Sequence, residues 1–170
     1  MGSRAVPQTG RRKQAPRTGR SSRDVSAAVR PIAEKIAAIH GLVVWDVGFV
    51  REAGRETLRI ACDRVGGVGA DELARVSEDV SRELDHSDVV PGQKRYVLEV
   101  TSPGAERKLQ GAEQFAVCFG RDARVTLSDG RSVEGKIGEL TDNVVEMETN
   151  DGAVRLFLDD IRTARLVIKI

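Results

Sequence analysis

Ser102-Pro103-Gly104 ends a run of strand-forming residues, and a charged patch, Glu106-Arg107-Lys108, follows at once. Two kinds of chemistry could use these residue types at this spacing. The first is nucleophilic catalysis, which needs a base within reach of the serine and a third group to orient that base. Ser102 stands in S-P-G rather than in a G-x-S-x-G elbow, and neither His40 nor His86 has a catalytic context. Ser102 is therefore expected to hydrogen-bond its own turn. The second is anion binding. Pro103 fixes φ, Gly104 permits an unusual turn, and Arg107 and Lys108 are then presented on a stiff scaffold. A positive patch held this way can grip RNA phosphates or an acidic partner. The same stretch also reads as a hinge with solvated charges. On the binding reading, Ser102, Pro103, Gly104, Arg107 and Lys108 form the candidate site. Reversing the charges of Arg107 and Lys108 should then weaken binding and leave folding intact.

Other chemistry is thinly supplied. Gly66-Gly67-Val68-Gly69 fits the G-x-x-G pattern of loops that clamp nucleic-acid backbone. It joins a strand to a helix, has only Arg64 beside it, and lacks the Lys-Ser/Thr pair of a P-loop. It reads as a flexible connector, with an anion at the helix N-terminus as the alternative. Cys62 and Cys118 sit in apolar runs with no C-x-x-C pair or histidine cluster, as buried thiols of a reducing compartment do. His40 and His86 fall near helix ends and read as surface residues. Asp46 lies inside an apolar strand and is expected to satisfy a backbone group or an arginine. No cofactor or metal is called for, and the chain is expected to be non-enzymatic. No apolar run reaches the length of a membrane span, and the N-terminus lacks an apolar signal core, so a cytoplasmic protein is expected.

Charge is unevenly spread. Seven of the 27 basic residues lie in residues 1–23, which hold none of the 26 acids. From Asp24 onward 20 bases face 26 acids, a mildly acidic body. The basic Gly/Pro/Ser-rich segment is expected to be a disordered tail, because it cannot bury enough apolar surface to order itself. It reads either as a nucleic-acid tether or as an extension that aids solubility.

The elements that position these residues follow from periodicity. With 170 residues, one medium domain or two small ones are expected, and an aromatic share of 4% means a core of Val, Leu, Ile and Ala. Val25, Val29, Ile32, Ile36 and Ile39 form one helical stripe, capped by Ser22 or Asp24, closed by Gly41, and kinked or split at Pro31. Val43, Trp45, Val47 and Phe49 should share one face of a strand, paired through a turn at 51–54 with Leu58, Ile60 and Cys62. The opposite face, with Arg59 and Asp63, should be wetter. A helix over 70–85 and a strand over 95–101 complete an α/β module with two helices on a three-stranded sheet, spanning 24–104. Residues 105–120 read as a linker with a short helical turn. From 121 to 170 about five short strands separated by turn signals predict a small closed barrel. The fold class is thus α+β.

The stretch Leu98-Glu99-Val100-Thr101-Ser102-Pro103-Gly104 resembles the hallmark strand of the ribosome maturation factor RimP family, and Arg107 and Leu109 hold their places in the segment that follows. Lys108 stands where that family usually has proline. Gly41 to Val47 resembles the family's entry strand, and Asp160-Ile161 with Ala164-Arg165-Leu166-Val167 resembles its closing one. The resemblance covers roughly 25–170 and excludes the basic tail. It implies an α/β N-terminal domain and an Sm-like or SH3-like barrel. It also implies a role in maturing the small (30S) ribosomal subunit. The partners it implies are small-subunit ribosomal RNA and the basic ribosomal protein twelfth in the small-subunit series, bound by a monomer. The alternative is a general Sm-like RNA-binding module, and a third is a hydrolase using Ser102.

Overall fold

The computed structural model describes residues 21–91 and 95–168, so the basic segment expected to be disordered lies almost wholly outside the described residues. Helix α1 spans Ser22–Ile39 and includes Arg23. Its cap is Ser21 rather than Ser22 or Asp24. The Ser21 hydroxyl accepts from the Asp24 amide at 3.2 Å, and the Asp24 carboxylate accepts from the Ser21 amide at 3.0 Å. That reciprocal box needs an acid three residues on, which Ser21 has. Pro31 sits on the exposed side and does not split the helix. Ile39, the last residue of the helix, is 75% exposed, so the buried stripe stops at Ile36 and Ala37.

Strand β1, Val43–Glu52, and β2, Arg55–Asp63, form an antiparallel hairpin. Its two-residue turn, Ala53-Gly54, has positive φ at both positions, the conformation that matches strand twist in tight hairpins. Helix α2, Ala70–His86, crosses over to β3, Val97–Thr101, which lies parallel to β2. Both helices pack their apolar stripes, including Val25, Val29, Val76 and Val80, on Val44, Leu58, Ile60 and Cys62. Fully burying each such side chain stabilises by about 1.5–3 kcal/mol.

The expected single face of β1 does not exist. Pairing runs Val44 with Cys62 and then Asp46 with Ala61, so Trp45 is an extra residue, a β-bulge. The bulge divides the strand between two cores. Val44 and Val47 belong to the helix-covered core, whereas Trp45 and Ala61 belong to the core of the second module.

After helix α3, Gly111–Val117, the chain forms β4, Asp122–Leu127, β5, Ser132–Thr141, β6, Val144–Thr149, and β7, Gly152–Phe157. A 3₁₀ turn, Leu158–Asp160, leads to β8, Ile161–Leu166. These strands make an antiparallel sheet ordered β7-β6-β5-β4-β8 around Phe115, Val125, Ile137, Val145 and Met147. Gly135 and Gly138 let β5 bend against β6: a Cβ at Gly135 would stand 2.2 Å from the Glu148 carbonyl oxygen. Among the described residues β7 and β8 are the two ends of the ladder and are not paired with each other, so hydrogen bonding does not close the expected barrel.

Candidate functional site

The expected linker is packed rather than free, and it builds the corner where the modules meet. Backbone groups of 107–109 lie against β8: the Leu109 amide donates to the Ala164 carbonyl at 3.0 Å, and the Leu166 amide donates to the Arg107 carbonyl at 2.9 Å. Lys108 is thereby bridged to Arg165. From the other module, Trp45 donates its indole N–H to the Lys108 carbonyl at 3.0 Å. Gln114 on α3 links both sides, its amide donating to the Trp45 carbonyl at 3.3 Å and its oxygen accepting from the Gln110 amide at 2.7 Å.

Arg107 is the centre of this corner. Its side chain is 8% exposed and pairs with Asp63, which is 4% exposed. The guanidinium lies over the Trp45 ring, 4.2 Å from its centroid, and donates to the Pro103 carbonyl at 3.3 Å and less closely to that of Gly104. Arg121 approaches Asp63 from the solvent side at 3.7 Å. Desolvation explains the arrangement: a buried cation persists only beside a buried anion. Burial pushes the Cys62 thiol up to about 11, helped by Asp63. Burial also raises Cys118, while the neighbouring Arg107 acts in the opposite sense. Both cysteines are free thiols.

The expected site residues are therefore divided. Arg107 is buried, so of the two cations expected side by side on the surface only Lys108 is exposed. Charge reversal at Arg107 would place two carboxylates in a dry corner, which removes the expectation of intact folding. Ser102 is exposed, and its carbonyl accepts weakly from Thr101. Gly104 does not take a positive φ, and the space beside it is open, so no unusual turn depends on it.

Two shallow clefts flank the corner and share Trp45 and Asp46. One, about 390 Å³, is lined by Arg59, Glu99, Ser102 and Gly104 among others. The other, about 270 Å³, is lined by Lys108, Gln110 and Gln114. Asp46 is 80% exposed there, with Arg30 at 3.9 Å, which is too far for a firm bond. Arg59 is held between Glu52 at 2.5 Å and Glu99 at 2.6 Å, and these carboxylates raise its pKa. No histidine lines either cleft. His40 bonds Asp79 at 2.8 Å, and His86 bonds the Arg82 carbonyl. The glycine loop is pinned rather than loose. Arg64 donates to the Gly67 carbonyl and to Glu72, and the Glu72 carboxylate accepts from the Gly69 amide at 3.2 Å. That amide bond is the main reason the Glu72 carboxyl lies below its usual range. The helix N-terminus already carries its own anion.

Residues 32–106 match the family model of the RimP N-terminal domain. Over this stretch the chain is similar to that domain. The match supports the RimP family of ribosome maturation factors, and it spans the strand and S-P-G turn on which the corner is built. The match ends one residue before Arg107, so the arginine that latches the first module to the second lies just outside it. Sequence reasoning missed Asp63, Trp45 and Gln114 as members of the corner. The signal that could have found one of them was an acid, Asp63, closing an otherwise apolar strand end, Ile60-Ala61-Cys62.

Proposed function

We propose that this chain assists assembly of the small (30S) ribosomal subunit by transient binding, with no bond made or broken. It contacts ribosomal RNA and the basic ribosomal protein twelfth in the small-subunit series, and its C-terminal sheet serves as an Sm-like module. The family match over residues 32–106 carries this reading. The geometry supports it: the corner offers an exposed carboxylate, Asp46, for a basic protein, and exposed Lys108 for phosphate.

A factor that binds and leaves must prefer the immature subunit, since binding shifts a population only through differential affinity. The test is co-sedimentation with immature and mature subunits across a salt series, using the wild-type chain and Lys108→Glu. The expected result is retention on immature subunits that Lys108→Glu weakens without loss of fold. Equal retention on both kinds of subunit, or on neither, overturns the reading. The second reading is a general Sm-like RNA-binding module; such modules usually work as rings, and one observation stands against a ring here. The outer edge of β8 is already occupied by residues 107–109 of the same chain, so another copy cannot pair there without displacing them.

A further inference from the structure

At the end of the first module remote from the corner, the hairpin turn and the start of β3 enclose a cleft of about 540 Å³. Arg51, Arg55 and Arg95 line it, all exposed. Among the described residues none of the three has an ion pair or a side-chain hydrogen bond. Some other exposed arginines do pair, Arg82 with Asp79, Arg124 with Glu134, and Arg131 with Asp129, whereas Arg75, Arg155, Arg162 and Arg165 do not among the described residues; what sets these three apart is that they line one cleft. Glu56 is the one acid in the lining, and it has an interaction of its own. The wall between the cations is Tyr96, whose ring is braced edge-on by Phe49 at 6.1 Å between centroids, and beside it Val97 is 47% exposed.

We infer that this cleft is a binding site for single-stranded RNA, separate from the corner. Three guanidinium groups with no partner among the described residues supply bidentate donors to phosphate oxygens. An orientationally fixed aromatic between them supplies a face on which an unpaired base stacks. The cleft is open and shallow, which suits a strand laid across it. An acidic peptide would use the three charges but not the aromatic wall, so RNA accounts for more of what is there. The inference does not rest on the ribosomal reading. Loss of this site leaves recognition through the corner in place, and failure of subunit co-sedimentation leaves oligonucleotide binding to be measured.

The test uses the full chain and a fluorescein-labelled single-stranded oligouridylate of about twelve nucleotides, followed by anisotropy across a salt series. The basic N-terminal segment is present in every variant, so differences report the cleft alone. The combined Arg51→Gln, Arg55→Gln and Arg95→Gln variant is expected to bind at least about tenfold more weakly, with a salt slope shallower by about 2, at roughly 0.7 for each phosphate no longer neutralised. Should the combined variant fail to fold, each single variant carries the same test through a slope change of about 0.7. Tyr96→Phe is expected to bind as wild type, and Tyr96→Leu about tenfold more weakly. Arg131→Gln, on the far module, is expected to change nothing. The inference is overturned if the arginine variants keep wild-type affinity and slope, or if Tyr96→Leu binds like Tyr96→Phe. It is also overturned if a polyglutamate peptide displaces the oligonucleotide as well as unlabelled oligouridylate does.

Discussion

Removing the Arg107 side chain tests whether one buried ion pair holds the two modules together. In Arg107→Met the methionine keeps an apolar contact with Trp45 but loses Asp63 and the Pro103 carbonyl. Asp63 is then buried beside Arg121 alone, 3.7 Å away and partly in water. Breaking a buried pair from one side costs about 3–5 kcal/mol, and the Arg121 contact places this variant near 3. Asp63→Asn should sit nearer 5, because it strands a guanidinium whose Nε has no hydrogen-bond partner among the described residues. Replacing both, Arg107→Met with Asp63→Asn, should cost less than the two single changes summed, with a coupling of about 2–3 kcal/mol. The assay is urea unfolding followed in parallel by far-ultraviolet circular dichroism and by the fluorescence of Trp45, the only tryptophan. The single variants should show the tryptophan transition preceding the loss of secondary structure, because the latch opens before either core melts. An Arg107→Met protein within about 0.5 kcal/mol of wild type, with coincident transitions, would refute the reasoning.

Further expectations follow from individual positions. Gly135→Ala should destabilise by about 3 kcal/mol in chemical denaturation, since its Cβ would meet the Glu148 carbonyl oxygen, a backbone atom that cannot step aside. Gly104→Ala, into open space, should stay within about 0.5 kcal/mol of wild type in the same assay. Ala53 holds a positive φ that asparagine tolerates better, so Ala53→Asn should raise stability by about 0.5–1 kcal/mol, read as a higher denaturation midpoint. The Asp79 carboxyl is held below its usual range, chiefly by the hydrogen bond from His40 and also by Arg82. A depressed acid contributes stability that is full above its unfolded value, about 3.9, and is lost as pH falls through its folded value. Thermal melts from about pH 2 to about pH 5 should therefore show a shallower acid slope for Asp79→Asn than for wild type.

Local patterns in the chain are enough for most of the architecture. Period-three-and-four stripes such as Val25-Val29-Ile36 and Val76-Val80-Leu84 mark helices whose buried faces are found where expected. Turns bearing glycine, asparagine or aspartate mark the hairpins of the second sheet. The site is less legible, for two physical reasons. A bulge adds one residue without leaving a mark in the alternation, so Val43 to Phe49 reads as one face although Trp45 and Val47 serve different cores. The partner of Arg107 is 44 residues away, and a charge beside a turn looks the same in sequence whether it is solvated or neutralised from across a junction. The alternation puts Asp63 on the wetter face for the same reason.

The bulged strand has a practical consequence for anyone who would cut this molecule in two. The S-P-G turn looks like the natural place, and the matched domain stops close by. Yet Trp45 and Ala61, which belong to the first half by chain order, complete the oily interior of the second. A piece ending at Gly104 would carry a bare indole and an orphaned carboxylate. A piece beginning at Ala105 would carry an unneutralised guanidinium and a hole where the indole belongs. Negative results from either fragment would describe the cut and not the protein.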